Sequence, residues 1–310
     1  MRFTERNTDG PQADARDDVV FALEGVSYRY LDRFAALDGV SLSVRRGERL
    51  ALLGANGCGK STLLKLLDGL LFAETGSFRA FGNEVTEVSL DDEQFHEAFR
   101  SRVGFVFQNS DAQVFSPTVR EEIAFGPLHM GMAPADVDTR VDDTLRMLDI
   151  ADLADRAPYQ LSGGQKKRVA IASVLVMNPD VLLFDEPTAA LDPRTQDWLV
   201  ELIEQLGAAG KTIVLATHDL DTLERIADRC CVFDEAHHIV CEGLPSAILR
   251  DRALLRNVNL IHDHAHRHGA VVHVHEHGIE HHAQHEEHEH HQHAGAPEDN
   301  APAGRVTTST

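Results

Sequence analysis

Gly54-Ala55-Asn56-Gly57-Cys58-Gly59-Lys60-Ser61 is the stretch on which the reading of this chain turns. The apolar run Arg49-Leu50-Ala51-Leu52-Leu53 leads into it and reads as a buried strand, and Ser61–Leu71 follows as a helix. A strand, a glycine-rich loop and a helix in that order make a phosphate cradle. The glycines let backbone N–H groups turn inward onto phosphate oxygens, and the helix start presents its positive end to the same anion. Lys60 adds a point charge for the β- and γ-phosphates of a nucleotide, Ser61 a hydroxyl for Mg²⁺, and Thr62 continues the first turn.

A second motif supplies acids. Val181-Leu182-Leu183-Phe184 is an apolar strand that ends in Asp185-Glu186. Asp185 is placed to hold Mg²⁺ through its water shell, and Glu186, at the strand tip, to polarise an attacking water. A third motif, Leu161-Ser162-Gly163-Gly164-Gln165, opens a helix over Gln165–Met177 with a serine and two glycines and makes a second anion site. One nucleotide needs only one such site. A head-to-tail dimer, in which each Ser-Gly-Gly caps the nucleotide held by the other subunit, resolves the surplus.

Around these motifs the periodicity alternates between strands and helices. Phe21–Val44 reads as antiparallel strands, Asp91–Ser101 as a helix, and Val103–Phe107 as a strand. Thr118–Tyr159 is helical, with interruptions expected at Gly126-Pro127 and Pro134. Further on come a helix at Thr195–Leu206, a strand at Thr212–Ala216, a helix at Leu220–Ile226, and short strands at Cys230–Phe233 and Ile239–Glu242. The expected class is α/β: a mainly parallel sheet with flanking helices, an antiparallel β subdomain, and a helical subdomain over about 90–165.

Composition bounds the function. At 310 residues, 43 % hydrophobic and 25 % charged, the chain can bury a sizeable core. No run reaches the ~18 apolar residues of a membrane-spanning helix. Residues 1–18 lack the apolar core of a secretory signal and are expected to be a disordered leader, so the chain is expected in the cytoplasm. Cys58, Cys230, Cys231 and Cys241 form no C-x-x-C pair, as suits reduced thiols. A net charge of −21, from 29 Lys+Arg against 50 Asp+Glu, speaks against nucleic acid as a partner.

With these motifs in order, residues 19–250 resemble the nucleotide-binding domain of ABC transporters, and Leu161–Gln165 matches that family's signature. The resemblance implies an ATP hydrolase coupled to transport, with ATP and Mg²⁺ as ligands, and it implies roles for further residues. Gln108 matches the glutamine that senses Mg²⁺ and water, Asp192 the loop that crosses the dimer interface, and His218 the switch histidine at the γ-phosphate. Tyr30 matches the aromatic residue that stacks on adenine, with Tyr28 as the neighbour that competes for the assignment. The run Phe107–Pro127 is similar to the energy-coupling-factor ATPases, which include cobalt and nickel importer subunits, although Ala112-Gln113 stands where that family usually carries an acid. This finer resemblance implies a peripheral protein on the cytoplasmic face of the cell membrane. Its partners would be a second ATPase subunit, identical or paralogous, and integral membrane coupling and substrate-binding subunits. Val114 and Phe115 would border a groove for a helix of the membrane partner.

Residues 251–261 read as a linker and 262–310 as a disordered histidine-rich tail. His262, His264, His266 and His268 alternate with spacers, and His273, His275 and His277 repeat the pattern. Imidazole suits Ni²⁺, Co²⁺ and Zn²⁺, and a flexible metal buffer or donor is the expectation. Together with the ATPase motifs this favours import of Ni²⁺ or Co²⁺. The alternatives are an energy-coupling-factor importer for another substrate such as a vitamin, a soluble ABC ATPase, and a metal-storage protein.

Overall fold

A computed structural model describes residues 18–268 and 271–278, with side chains over 18–261. Most of the expected leader and the tail beyond 278 lie outside the described residues. The chain divides into two units, one ending at Leu260 and one beginning at Ile261.

The first unit starts with two long antiparallel strands, β1 (Val19–Tyr30) and β2 (Phe34–Arg45). Alternation puts Phe21, Leu23, Leu37, Val40, Leu42 and Val44 in the core. β3 (Arg49–Leu53) is buried from Leu50 onward and delivers the chain into the glycine loop. α1 (Lys60–Leu67) ends earlier than its apolar pattern suggests. Gly69 takes φ +67°, its N–H bonds the Leu66 carbonyl, and the Leu70 N–H bonds that of Lys65. This left-handed closure is a strong helix stop. β4 (Thr75–Ala80) and β5 (Asn83–Glu84) complete a four-stranded sheet of order β2-β1-β4-β5.

The expected helix at Asp91–Ser101 is α3 (Glu93–Arg100), which Asp92 caps by accepting the Phe95 N–H at 2.8 Å, and a single-turn helix, α2 (Glu87–Leu90), precedes it. β6 (Val103–Val106) follows, and then the helices α4 (Val119–His129), α5 (Pro134–Met147) and α6 (Gly163–Leu175). The expected break at Gly126-Pro127 does not occur: Pro127 is buried inside α4, at the cost of one ladder bond. The stop lies at Gly131, whose φ of +72° closes the helix through Gly131 N–H to Leu128 O and Met132 N–H to Pro127 O.

β7 (Val181–Asp185), α7 (Pro193–Ala208), β8 (Thr212–Thr217), α8 (Leu223–Ile226), β9 (Arg229–Phe233) and β10 (Ile239–Gly243) complete a six-stranded sheet of order β10-β9-β3-β8-β7-β6. Every pair is parallel except β9–β10. Leu50, Leu52, Val181, Leu183, Val214, Ala216, Cys231 and Phe233 share one core with Leu63, Leu64, Leu66 and Leu67 of α1 and with the antiparallel sheet. The strand register aligns the ends of β3, β7 and β8. Leu53 pairs with Thr217 and Asp185 with Ala216, so Gly54, Glu186 and His218 leave three adjacent strands at the same edge.

The expected linker is structured. α9 (Pro245–Arg250) and α10 (Arg252–Asn257) belong to the first unit, and Leu255, Val258 and Leu260 are buried. Asp251 caps α10 by accepting the Leu254 N–H at 2.9 Å. The second unit contains a ribbon, β11 (Ile261–His268) paired antiparallel with β12 (Val271–Gly278), where the sequence suggested disorder. Period-two alternation of His with spacers, followed by Val271, Val272 and Val274, is a strand pattern carried by an unusual residue.

Leu255→Ala should lower the unfolding free energy by ~2–4 kcal/mol, read as a lower denaturant midpoint at unchanged slope. A change below about 0.5 kcal/mol would return 251–260 to the status of a linker.

Candidate functional site

The loop between β3 and α1 is shaped by its glycines. Gly54, Gly57 and Gly59 take φ of +148°, +86° and +115°. A Cβ on Gly59 would overlap the Ala36 carbonyl oxygen, and one on Gly54 would lie 2.6 Å from Cys58 Sγ. Cys58 is buried, and burial pushes its thiol pKa up, so it packs as an apolar group. Ala55 and Asn56 complete the loop. A residue outside the motif latches it: His237, in the β9–β10 turn, bonds the Cys58 carbonyl through Nδ1 at 3.2 Å.

Lys60 begins α1 and is buried. Its Nζ donates to the carbonyl oxygens of Gly54 at 2.6 Å and Ala55 at 3.2 Å, and lies 3.5 Å from Glu186 Oε1. Ser61 Oγ donates to Asp185 Oδ1 at 2.7 Å. Burial raises the Asp185 pKa, the neighbouring Glu186 charge adds to this, and the Ser61 bond opposes it. Glu186 is buried, with φ of +42° and its N–H on the Ala216 carbonyl at 2.9 Å. Its Oε2 meets His218 Nδ1 at 2.8 Å, while Oε1 has no hydrogen-bond partner among the described residues. The next residue, buried Asp219, accepts from Gln196 Nε2 of α7 and from Thr222 Oγ1, each at 3.0 Å. Five of the sequence-derived residues, Lys60, Ser61, Asp185, Glu186 and His218, thus form one connected cluster.

Tyr30, at the end of β1, brings its hydroxyl within 3.4 Å of Thr62 Oγ1 on the first turn of α1. Tyr28 packs edge-on against Tyr30 at 5.0 Å and lies against the core, so Tyr30 is the ring beside the cradle. Gln108 follows β6 and is exposed. Its backbone, rather than its side chain, is where the fold grips. Lys167 of α6 is buried and donates to the carbonyl oxygens of Phe107 at 3.1 Å and Gln108 at 3.3 Å. Desolvation lowers the Lys167 pKa to about 8, against the raising effect of the Asp185 charge. Gln113 adds a second tie, accepting the Phe107 N–H at 3.0 Å and donating to Ala170 O at 3.3 Å. The sequence reading missed both. The available signal was Lys167 itself, a charge on the helical stripe that Ala170 and Ile171 keep apolar and buried.

Ser162, Gly163, Gly164 and Gln165 open α6 away from that cluster. Ser162 Oγ accepts the Gln165 N–H at 3.3 Å, and Gln165 Oε1 accepts the Ser162 N–H at 3.0 Å, a reciprocal cap. Asp192 caps α7 one-sidedly, accepting from Thr195 N–H at 3.1 Å and Thr195 Oγ1 at 2.6 Å. A Cβ on Gly164 would come 2.7 Å from Thr195 Oγ1. Ser162, Gln165, Arg168, Asp192 and Thr195 line a cavity of about 600 Å³ to which no member of the Lys60 cluster contributes. Within one chain the two halves of the sequence-derived site stay apart.

Further along the chain from Gln108 lies an exposed apolar patch. Phe115, Phe125 and Leu128 are at least half exposed, and the two phenylalanine rings meet edge-to-face at 5.0 Å. Buried Glu122 orders the loop by accepting the N–H groups of Phe115 at 2.9 Å and Ser116 at 2.7 Å. Val114 is partly buried. His262, His264, His266 and His268 fall on β11, and His273, His275 and His277 on β12.

The residues present fit a nucleotide with a divalent cation. Two adjacent buried carboxylates face one buried ammonium, one carboxylate oxygen lacks a hydrogen-bond donor, and the glycines keep side chains out of the cradle. Comparison with known proteins agrees. Residues 37–189 match the ABC transporter family. The chain is 51 % identical over 254 residues to an ABC transporter ATP-binding protein of Methanosarcina acetivorans, covering 81 % of this chain and 92 % of that one. It is 48 % identical over 244 residues to the nickel import ATP-binding protein NikO of Rhodobacter capsulatus, covering 78 % and 95 %. The solved structure of cbiO1 from Clostridium perfringens, part of the transporter complex cbiONQ, superposes with a TM-score of 0.68 at 36 % identity, over 78 % of this chain and 95 % of that one. The chain belongs to the ATP-binding subunits of ABC transporters, and it is an ATP hydrolase of that family.

Proposed function

We propose that this ATPase drives a membrane importer of nickel or cobalt ions of the energy-coupling-factor type, working as one half of a head-to-tail pair at the cytoplasmic face of the membrane. The observation that carries the hydrolytic part is the contact chain Lys60–Glu186–His218, with Lys60 and Glu186 buried, at the edge of the parallel strands. The likeness to NikO supports the cargo.

Lys60 exchanges its bonds to the Gly54 and Ala55 carbonyls for phosphate oxygens when the cradle fills. Ser61, Asp185 and Gln108 would hold Mg²⁺, which would supply positive charge against that of the nucleotide's phosphates. Glu186 orients the attacking water and takes up its proton, and His218 holds the γ-phosphate while its Nδ1 steadies Glu186. Tyr30 stacks on adenine. The contribution is positioning and electrostatics, with no covalent intermediate. Ser162, Gly163, Gly164 and Asp192 serve the partner's nucleotide, which the separation of the two half-sites within one chain supports. Among the described residues no helix is long and apolar enough to cross a membrane, in keeping with a peripheral subunit whose transport path lies in other chains. The exposed Phe115–Phe125 pair offers the membrane partner a docking face soon after Gln108 in the chain, and Lys167 ties that segment to the signature helix.

Glu186→Gln should bind ATP within a few-fold of the parent while turnover falls by ~10²–10⁴. Normal turnover in that variant would remove Glu186 as the group acting on water. In cells, uptake of radiolabelled Ni²⁺ or Co²⁺ should be lost in Lys60→Ala. It should also be lost in the double variant Phe115→Ser, Phe125→Ser, which keeps its basal ATPase but no longer sediments with membranes. Unchanged uptake in both would refute the importer reading.

A further inference from the structure

We propose that the β11–β12 ribbon is a register-built site for a late first-row divalent cation such as Zn²⁺, Ni²⁺ or Co²⁺, made from neighbouring cross-strand histidine pairs on one face. The inference deepens the proposed metal reading by assigning the tail a geometry, and it rests on the strand register rather than on the count of histidines.

His262 pairs with His277, His264 with His275, and His266 with His273. Directly opposed residues of an antiparallel pair share a face, and that face changes with every residue along the strand. His262, His264, His266 and His268 therefore lie on the same face as His273, His275 and His277. The other face carries Asp263, Ala265 and Arg267 opposite Glu276, Val274 and Val272, with no histidine at all. A tail selected only to be rich in histidine has no need of this segregation.

The spacing suits metal. Opposed Cβ atoms in an antiparallel pair are ~4.5–5.5 Å apart, within reach of two imidazoles that meet on one ion. The next pair on the same face lies ~7 Å along the strands, since each residue advances about 3.4 Å. Two neighbouring pairs can therefore close a four-imidazole set around a tetrahedral ion with metal–nitrogen distances of ~2.0–2.1 Å, the closed geometry of structural sites. Imidazole ligands suit Zn²⁺, Ni²⁺ and Co²⁺ alike, so the ribbon defines a class of ion rather than one member.

Energetics point the same way. A two-stranded ribbon alone is marginally stable in water. This one also sets Asp263 opposite Glu276, and like charges in direct opposition weaken a pair. An ion that binds only the paired form supplies the missing stability by mass action, and folding and binding become one event.

The test uses the full-length chain with the seven histidines of residues 281–293 replaced by glutamine, so that they do not mask the ribbon. One variant, His264→Ala with Ala265→His, keeps the composition but moves the central histidine to the opposite face. The pairs left, His262/His277 and His266/His273, are four residues apart along each strand and too distant to share an ion. A second variant, His268→Ala, removes a histidine that stands opposite Val271 and belongs to no pair. Titration calorimetry with Zn²⁺ and with Ni²⁺, alongside far-ultraviolet circular dichroism, reads the outcome. The exchange should weaken the tightest site at least tenfold and abolish the metal-induced strand signal, and His268→Ala should stay within twofold of the parent. Equal affinity of the exchanged and parent chains, or a larger loss in His268→Ala, would overturn the proposal in favour of register-free chelation. Binding is measured on the isolated chain with its basal ATPase as a folding control. The site can therefore fail while the importer reading stands, and uptake can fail while the site stands.

Discussion

Two carboxylates and one ammonium are buried together where the parallel strands end, and the rest of the molecule is arranged around keeping them there. Removing a charge from water costs several kcal/mol after relaxation, so Lys60, Asp185 and Glu186 persist in the interior only with partners. Lys60 leans on the carbonyls of its own loop and on Glu186, Asp185 on Ser61, and Glu186 on His218. The balance remains one positive charge short of neutral, with Glu186 Oε1 lacking a hydrogen-bond donor among the described residues. That residual charge makes the cluster receptive to a cation arriving with nucleotide.

The register of the sheet enforces this meeting. β3, β7 and β8 run parallel in register, so Gly54, Glu186 and His218 step off three neighbouring strands at one edge of the sheet. This is the edge at which open α/β sheets bind ligands. The helical region adds a different kind of control. α6 carries the Ser162 cap at its start and Lys167 one turn later, and Lys167 grips the backbone at Phe107 and Gln108. The same helix thereby ties the Ser162 end to the segment that leads to the exposed Phe115 surface. In the proposed pair of subunits, that linkage connects the partner's nucleotide to the membrane.

Much of this was legible in the sequence because the phosphate motif is local. Glycines at 54, 57 and 59 announce backbone angles that other residues resist, and Asp185-Glu186 closes an unbroken apolar strand. What escaped was set by distant contacts. His237 latches the glycine loop across 179 residues of chain, and Gln113 and Lys167 matter only once α6 packs against β6. Pro127 suggested a break because the left-handed closure at Gly131 competes with it invisibly in one dimension. The run 251–260 looked like a linker because its three buried apolar residues are spread over a single short helix and the turn after it. In β11 and β12 the period-two pattern was visible, but with histidine at the alternate positions it resembled polar low complexity.

The central claim is that the buried carboxylate pair creates a specific requirement for a divalent cation alongside nucleotide. The most direct measurement is the melting temperature of the chain with a saturating non-hydrolysable ATP analogue, titrated with Mg²⁺, for the parent and for Asp185→Asn. Nucleotide should stabilise both chains, and Mg²⁺ should add a further rise only in the parent. An equal Mg²⁺-dependent rise in both would contradict the claim.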